Sequence, residues 1–165
     1  MDSATHLTQG TEDPKTHTPP VSLFLAYVAM VPIASGAAAS LVFRSPAVVR
    51  LTITWSGSVL CFLAGVKRGL SFRQKGGPAL AQLGSMLWLF VMGAAAVLSP
   101  WRVPGIVLLL LGYGSEALFG PIAARRKEAP RYFARLRPVQ MMIPVASLLV
   151  LLMRERRRAG KQSRR

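Results

Sequence analysis

Acid–base, metal and nucleophilic chemistry need carboxylates, histidines or an activated thiol, and this chain holds few of each. Among 165 residues there are six Asp and Glu, two His and one Cys. His6 and His17 both precede the first apolar run, so no apolar helix can offer a histidine to a haem or a metal ion. Of Asp2, Glu12, Asp13, Glu116, Glu128 and Glu155, only Glu116 lies inside an apolar stretch. A single carboxylate makes neither an acid–base pair nor a two-metal site. Cys61 stands alone in an apolar run, which excludes an intrachain disulfide and a cysteine metal site and leaves it a small buried hydrophobe. Gly112 and Gly114 in "LGYGSEALFG" resemble a nucleotide loop only loosely, because no strand precedes them. No catalytic, metal-binding or cofactor-binding residue is assigned, and the chain reads as no enzyme.

Glu116 is the one sharp candidate. An ionisable group inside a membrane span costs about 2.5–3.5 kcal/mol at the helix centre, so it should face protein and find a partner. The favoured reading is an interhelical ion pair or hydrogen bond, with Lys67, Arg68 or a helix-terminus amide as partner. A proton or cation site is the functional alternative, and a contact with another subunit is the third.

The elements that must hold this residue are apolar helices. Hydrophobic residues make up 52% of the chain, mean hydropathy is +0.38, and 21 Lys and Arg face the six acids. The basic residues cluster between long charge-poor stretches, the pattern of a membrane protein with positive loops rather than of a nucleic-acid-binding domain. Residues 16–43, 51–66, 76–101 and 138–153 contain no charged residue, and 103–124 contains only Glu116. A span needs about 20 apolar residues for a hydrocarbon core of about 30 Å. The fold class is therefore an all-α integral membrane protein, a bundle of about five transmembrane helices. The spans fall at about 21–43, 47–66, 79–98, 103–124 and 138–153, within a transmembrane domain of 21–153. The second reaches full length with Arg50 snorkelling outward, and the short fifth needs Arg137 and Arg154 to do the same. A polar, net acidic segment, 1–20, precedes the spans and is expected to be flexible. It lacks the pattern of a cleaved leader. A basic tail, 154–165, follows; such a run is a solvated tail or a contact for anionic lipid headgroups.

The basic loops place ten Lys and Arg on the N-terminal side of the membrane against three on the other, which favours the N-terminus inside. Five spans put the seven basic residues of the tail on the opposite side and nearly cancel that excess. Lys67, Arg68, Arg125 and Arg126 should share one membrane face. A basic pocket there would suit a bound phospholipid such as cardiolipin; ordinary positive-inside charge is the plainer reading. Trp101, Tyr132 and Tyr27 suit interfacial anchoring. Small residues let helix backbones approach closely in lipid, and Gly57, Gly65, Gly69 and Gly112 are read as helix-packing positions, chiefly within the bundle.

Several stretches resemble one family. "LAYVAMVPIA" (Leu25–Ala34) is similar to the opening helix of the transmembrane-protein-69-like family, a domain of unknown function (3429). "WSGSVLCFLAGVKRGL" (Trp55–Leu70) resembles its second helix, "PWRVPGIVLLLLGYGSEAL" its fourth, and "APRYFARLRPVQ" (Ala129–Gln140) the segment before its last. Order and spacing agree over about residues 25–140. The departures are Ala64 for a Gly, Lys67 and Arg68 where the family often has His and Trp, and Tyr132 and Phe133 for Trp and Tyr. The resemblance implies a five-helix protein of the mitochondrial inner membrane or a bacterial inner membrane, and no catalytic activity.

From these readings the expected function is that of a non-catalytic accessory subunit of a larger membrane complex. A respiratory-chain or ATP synthase assembly is the concrete form, with membrane lipids and other subunits as partners and no nucleic acid. The alternative is a small carrier or channel-like protein using Glu116, though no internal repeat of the kind transporters carry is evident. The third is an assembly factor or lipid organiser.

Overall fold

The computed structural model describes residues 24, 27–43, 45–71, 80–125 and 133–162. The expected N-terminal segment, 1–20, lies outside them. The described residues form five helices: α1 (Val31–Val42), α2 (Pro46–Ser71), α3 (Leu80–Leu98), α4 (Arg102–Arg125) and α5 (Phe133–Gln162). Three are long and apolar enough to cross a membrane, over Pro46–Gly69, Leu80–Leu98 and Arg102–Phe119. The chain is an all-helical integral membrane protein. With no water in the hydrocarbon region, a helix satisfies every backbone group within its own segment, which is why long apolar runs take this form.

Each helix packs on the next in chain order, α1 also contacts α5, and α2 contacts α4 across the ring. Ile33, Val49, Ile53, Leu60, Leu89, Ile106, Leu109, Met141, Leu148 and Leu151 fill the interior. The α2–α3 crossing is backbone against backbone. A Cβ added to Gly57 would sit 2.8 Å from the Gly93 carbonyl oxygen, and one added to Gly93 would sit 2.8 Å from that of Gly57. Gly112 of α4 admits the Leu60 side chain of α2 in the same way. Gly65 and Gly69 depart from the internal packing expected of them. Both are exposed, and a Cβ on either would meet open space. The reason is rotational: Gly57 and Gly65 are eight residues apart, more than two turns, so they stand on different parts of the helix surface.

Helix limits follow local chemistry. Ser45 caps α2, its hydroxyl accepting the Ala47 amide at 3.2 Å, with Pro46 at the first helical position, where a missing N–H costs nothing. The expected first span, 21–43, is interrupted by a turn at Ala29–Met30, and α1 itself covers 12 residues. Pro32 explains the break, because its nitrogen cannot donate to the preceding turn. Ile33 and Ala34 both bond back to the Met30 carbonyl, and the Ala29 carbonyl released by the turn accepts the Trp55 indole of α2 at 3.0 Å. Buried hydroxyls are satisfied locally: Thr52 donates to Val48, Ser56 to Thr52 and Ser40 to Ala37.

The C-terminal end departs most from the sequence reading. Residues 154–162, expected as part of a basic tail, continue α5 as helix, and residues 163–165 lie outside the described residues. Arg, Ala, Glu, Lys and Gln are all good helix formers. The helix also gains a tertiary anchor two residues past the apolar run, at Glu155.

Candidate functional site

Two polar sites stand at opposite ends of this bundle. The first is built around Glu116. It follows Gly112 by one turn of α4, so the face that lies against α2 carries the carboxylate as well. Glu116 is 2% exposed, and Lys67 of α2 reaches it with an Nζ–Oε2 distance of 2.8 Å. The four-carbon stem of lysine allows this: its ammonium extends back into the bundle instead of outward. Lys67, read both as a candidate partner of Glu116 and as a headgroup contact, takes the first role and is turned inward, because a carboxylate in a low-dielectric interior needs a counter-charge more than the headgroups do.

Neighbouring groups fix this end further. Ser115 donates to the Gly112 carbonyl at 2.7 Å and accepts the Trp88 indole of α3 at 3.1 Å. Two rungs deeper, the buried Tyr113 hydroxyl donates to the Ser56 carbonyl at 2.8 Å, tying α4 to α2 again. About 21 Å of helix separates Glu116 from Arg102 on α4, and about 22 Å separates Gln140 from Glu155 on α5. Arg102 and Glu155 are in contact, so the buried Gln140 comes to the level of Glu116. Arg68 lies beside Lys67, half-buried. Arg125 ends α4, and Arg126 lies outside the described residues, as do Tyr132, His6 and His17.

The second site was not expected. Glu155 is 6% exposed, and three guanidinium groups converge on it. Arg102 Nη1 lies 3.0 Å from Oε2, Arg154 Nη1 3.1 Å from Oε1, and Arg158 Nη1 3.7 Å from Oε1. Arg154 also donates to the Phe43 carbonyl at 3.4 Å, closing the C-terminal end of α1. A fourth arginine, Arg50, enters α2 at the same end and donates to the carbonyls of Val97 and Ser99, the latter contact very short and the former 3.0 Å. The last carbonyls of a helix have no partner within it, and a cation there both bonds them and opposes the helix dipole. The arginines thus close two helix C-termini with donors the backbone lacks.

Each site has a sequence signal of different strength. Glu116 is visible as the lone charge in an apolar run. Glu155 is hidden in "MRERRR", where the bland reading is a solvated tail. The signal that would have found it is positional: a lone carboxylate abutting the end of the fifth apolar run, on the side where Arg102 starts the fourth. Of the expected anchors, Trp101 is well exposed in the α3–α4 connection and Tyr27 is half-buried. Among the described residues there is no cluster of three or more His, Cys, Asp or Glu able to hold a metal ion.

Against known proteins, no family model, no curated protein and no solved structure matches this chain.

Proposed function

We propose that this chain is a non-catalytic accessory subunit of a larger membrane complex, with a respiratory-chain or ATP synthase assembly of the mitochondrial inner membrane as the concrete setting. One observation carries the reading. Both buried carboxylates among the described residues are committed to ion pairs that join helices: Glu116 joins α4 to α2, and Glu155 joins α5 to α4. Charges used in this way tie one helix to another, and removing either partner leaves a buried charge behind. The outer surface supports the same reading. α3 shows only 17% of its apolar window buried, and Leu87, Trp88, Phe90 and Val91 all face outward from it. The choice of membrane rests on the resemblance to the transmembrane-protein-69-like family alone.

The test is extraction in mild detergent, native gel separation and mass spectrometry of what co-migrates. A stoichiometric respiratory or ATP synthase partner is the expected result. Migration of the chain alone would overturn the proposal.

The second reading is a small carrier or channel using Glu116. What favours it is an intramembrane carboxylate whose lysine partner retains 17% of its side-chain surface, so the pair is not sealed off. In reconstituted vesicles, ion or proton flux that Glu116→Gln abolishes would support this reading, and flux that the substitution leaves unchanged would end it.

A further inference from the structure

The arginine cluster around Glu155 holds more positive charge than its internal contacts use. Arg102, Arg154 and Arg158 gather around Glu155, and Arg50 stands at the same end of the bundle. Arg50 is occupied by helix-end carbonyls and Arg154 by Glu155 and Phe43. Arg102 and Arg158 differ from them. Their side chains remain 39% and 32% exposed. Among the described residues Arg102 bonds Glu155 alone, through one nitrogen. Arg158 approaches that carboxylate at 3.7 Å, too far for a hydrogen bond. A guanidinium has five N–H donors in a planar fork that matches the oxygens of a phosphate. Two such forks, held side by side by one buried carboxylate and open toward solvent, form a pre-positioned anion site. Arg156 and Arg157, both exposed on the following turn of α5, add to the positive potential there.

We propose that Arg102 and Arg158 bind the phosphate of an anionic phospholipid headgroup, with Glu155 as the residue that positions them. The setting identifies lipid as the source of the phosphate. The site stands where the apolar bundle ends, and Phe43, Leu98, Trp101 and Met153, all more than half exposed, give the same end an apolar collar for acyl chains. An exposed tryptophan at the level of the guanidiniums is the usual marker of a headgroup layer, and clustered arginines beside a span are the usual contact for acidic lipid. This places a headgroup site opposite the end that carries Lys67 and Arg68. The proposal does not rest on the accessory-subunit reading, since a free-standing bundle would carry the same site.

The experiment is native mass spectrometry of the full chain in detergent, titrated with cardiolipin, with phosphatidylcholine and, separately, with inorganic phosphate. Wild type should retain cardiolipin in preference to phosphatidylcholine, and Arg102→Gln with Arg158→Gln should weaken that binding by at least about tenfold, on the order of two charge-assisted contacts. Arg73→Gln with Lys75→Gln removes the same charge elsewhere and should leave binding intact. Because losing Arg102 could loosen the bundle, Glu155→Gln gives a reading of opposite sign. The amide oxygen can still accept from the two forks and keep them in place, while the charge that competes with phosphate is gone, so cardiolipin binding should tighten several-fold, an effect that unfolding cannot mimic; weaker binding with the fold intact would overturn the site. Equal loss in the Arg73 and Lys75 variant, or unchanged binding in the Arg102 and Arg158 variant, would overturn the site. Inorganic phosphate displacing cardiolipin at equal concentration would overturn the assignment to lipid.

Discussion

The two ends of the bundle meet the same problem, a carboxylate buried among helices, in different settings. At one end the Lys67 ammonium meets Glu116 within the apolar run of α4. At the other, three guanidiniums share Glu155 where the apolar part stops. The difference follows from depth. Within the hydrocarbon region every charge must be desolvated, so a buried carboxylate depends strongly on the cation that meets it. At the membrane boundary an unused guanidinium edge reaches water or headgroups, so extra cations are tolerated and can do other work. The first end is therefore fragile, and the second is redundant and open.

That contrast is testable by removing one cation from each end. Lys67→Met leaves Glu116 buried without its ammonium. The expected cost is about 3–5 kcal/mol, the typical penalty for breaking a buried pair from one side, read as a large drop in thermal midpoint in detergent or lipid. Adding Glu116→Gln to the same chain should recover much of the loss, since the buried charge that lost its ammonium is then gone. If Lys67→Met unfolds no more easily than wild type, the Lys67 ion pair is not what secures Glu116 and the account of this end fails.

A packing substitution between the two ends calibrates that figure. Gly57→Ala places a methyl 2.8 Å from the Gly93 carbonyl. Backbone cannot yield as a flexible side chain does, so α2 and α3 must separate, at about 1–3 kcal/mol for overpacking. A smaller loss than this in the same thermal assay would mean the crossing is looser than the geometry gives. The ion pair would then stand out still more clearly as the dominant local contribution.

These two residues also show what could be read in the chain before folding and what could not. Five apolar runs, the lone Glu116 and its basic neighbours are properties of composition along one line, and a helix preserves that order, so the five helices, three of them long and apolar enough to span, and Lys67 as one of three candidate partners could be read from spacing. Which glycines pack is a matter of rotation about the helix axis, and all four looked equivalent in sequence. Gly57 and Gly112 turned inward, and Gly65 and Gly69 did not. The interruption at Ala29–Met30 carried a signal in Pro32. Glu155 carried the weakest, because its meaning depends on Arg102, more than fifty residues away, and a run of arginines disguises a helix that gains its anchor only in the folded bundle. Longitudinal position is legible in an apolar chain; azimuth, and the pairing of a carboxylate hidden in a charged run, are not.

At the open end the corresponding deletion should be mild. Arg102→Gln removes the 3.0 Å contact to Glu155 but leaves Arg154 and Arg158 beside the same carboxylate. The side chain of Arg102 is more than one third exposed, so solvent screens the pair, and the expected cost is about 1 kcal/mol or less. Arg154→Gln should cost more than Arg102→Gln, because Arg154 is the more buried and also holds the Phe43 carbonyl at the end of α1. The measurement is a shift in thermal midpoint for each single variant beside that of Lys67→Met. A loss at Arg102 as large as that at Lys67 would show that Glu155 depends on one partner after all. Redundancy would then no longer separate the two ends, and the unused donors of Arg102 would have to be explained by stability alone.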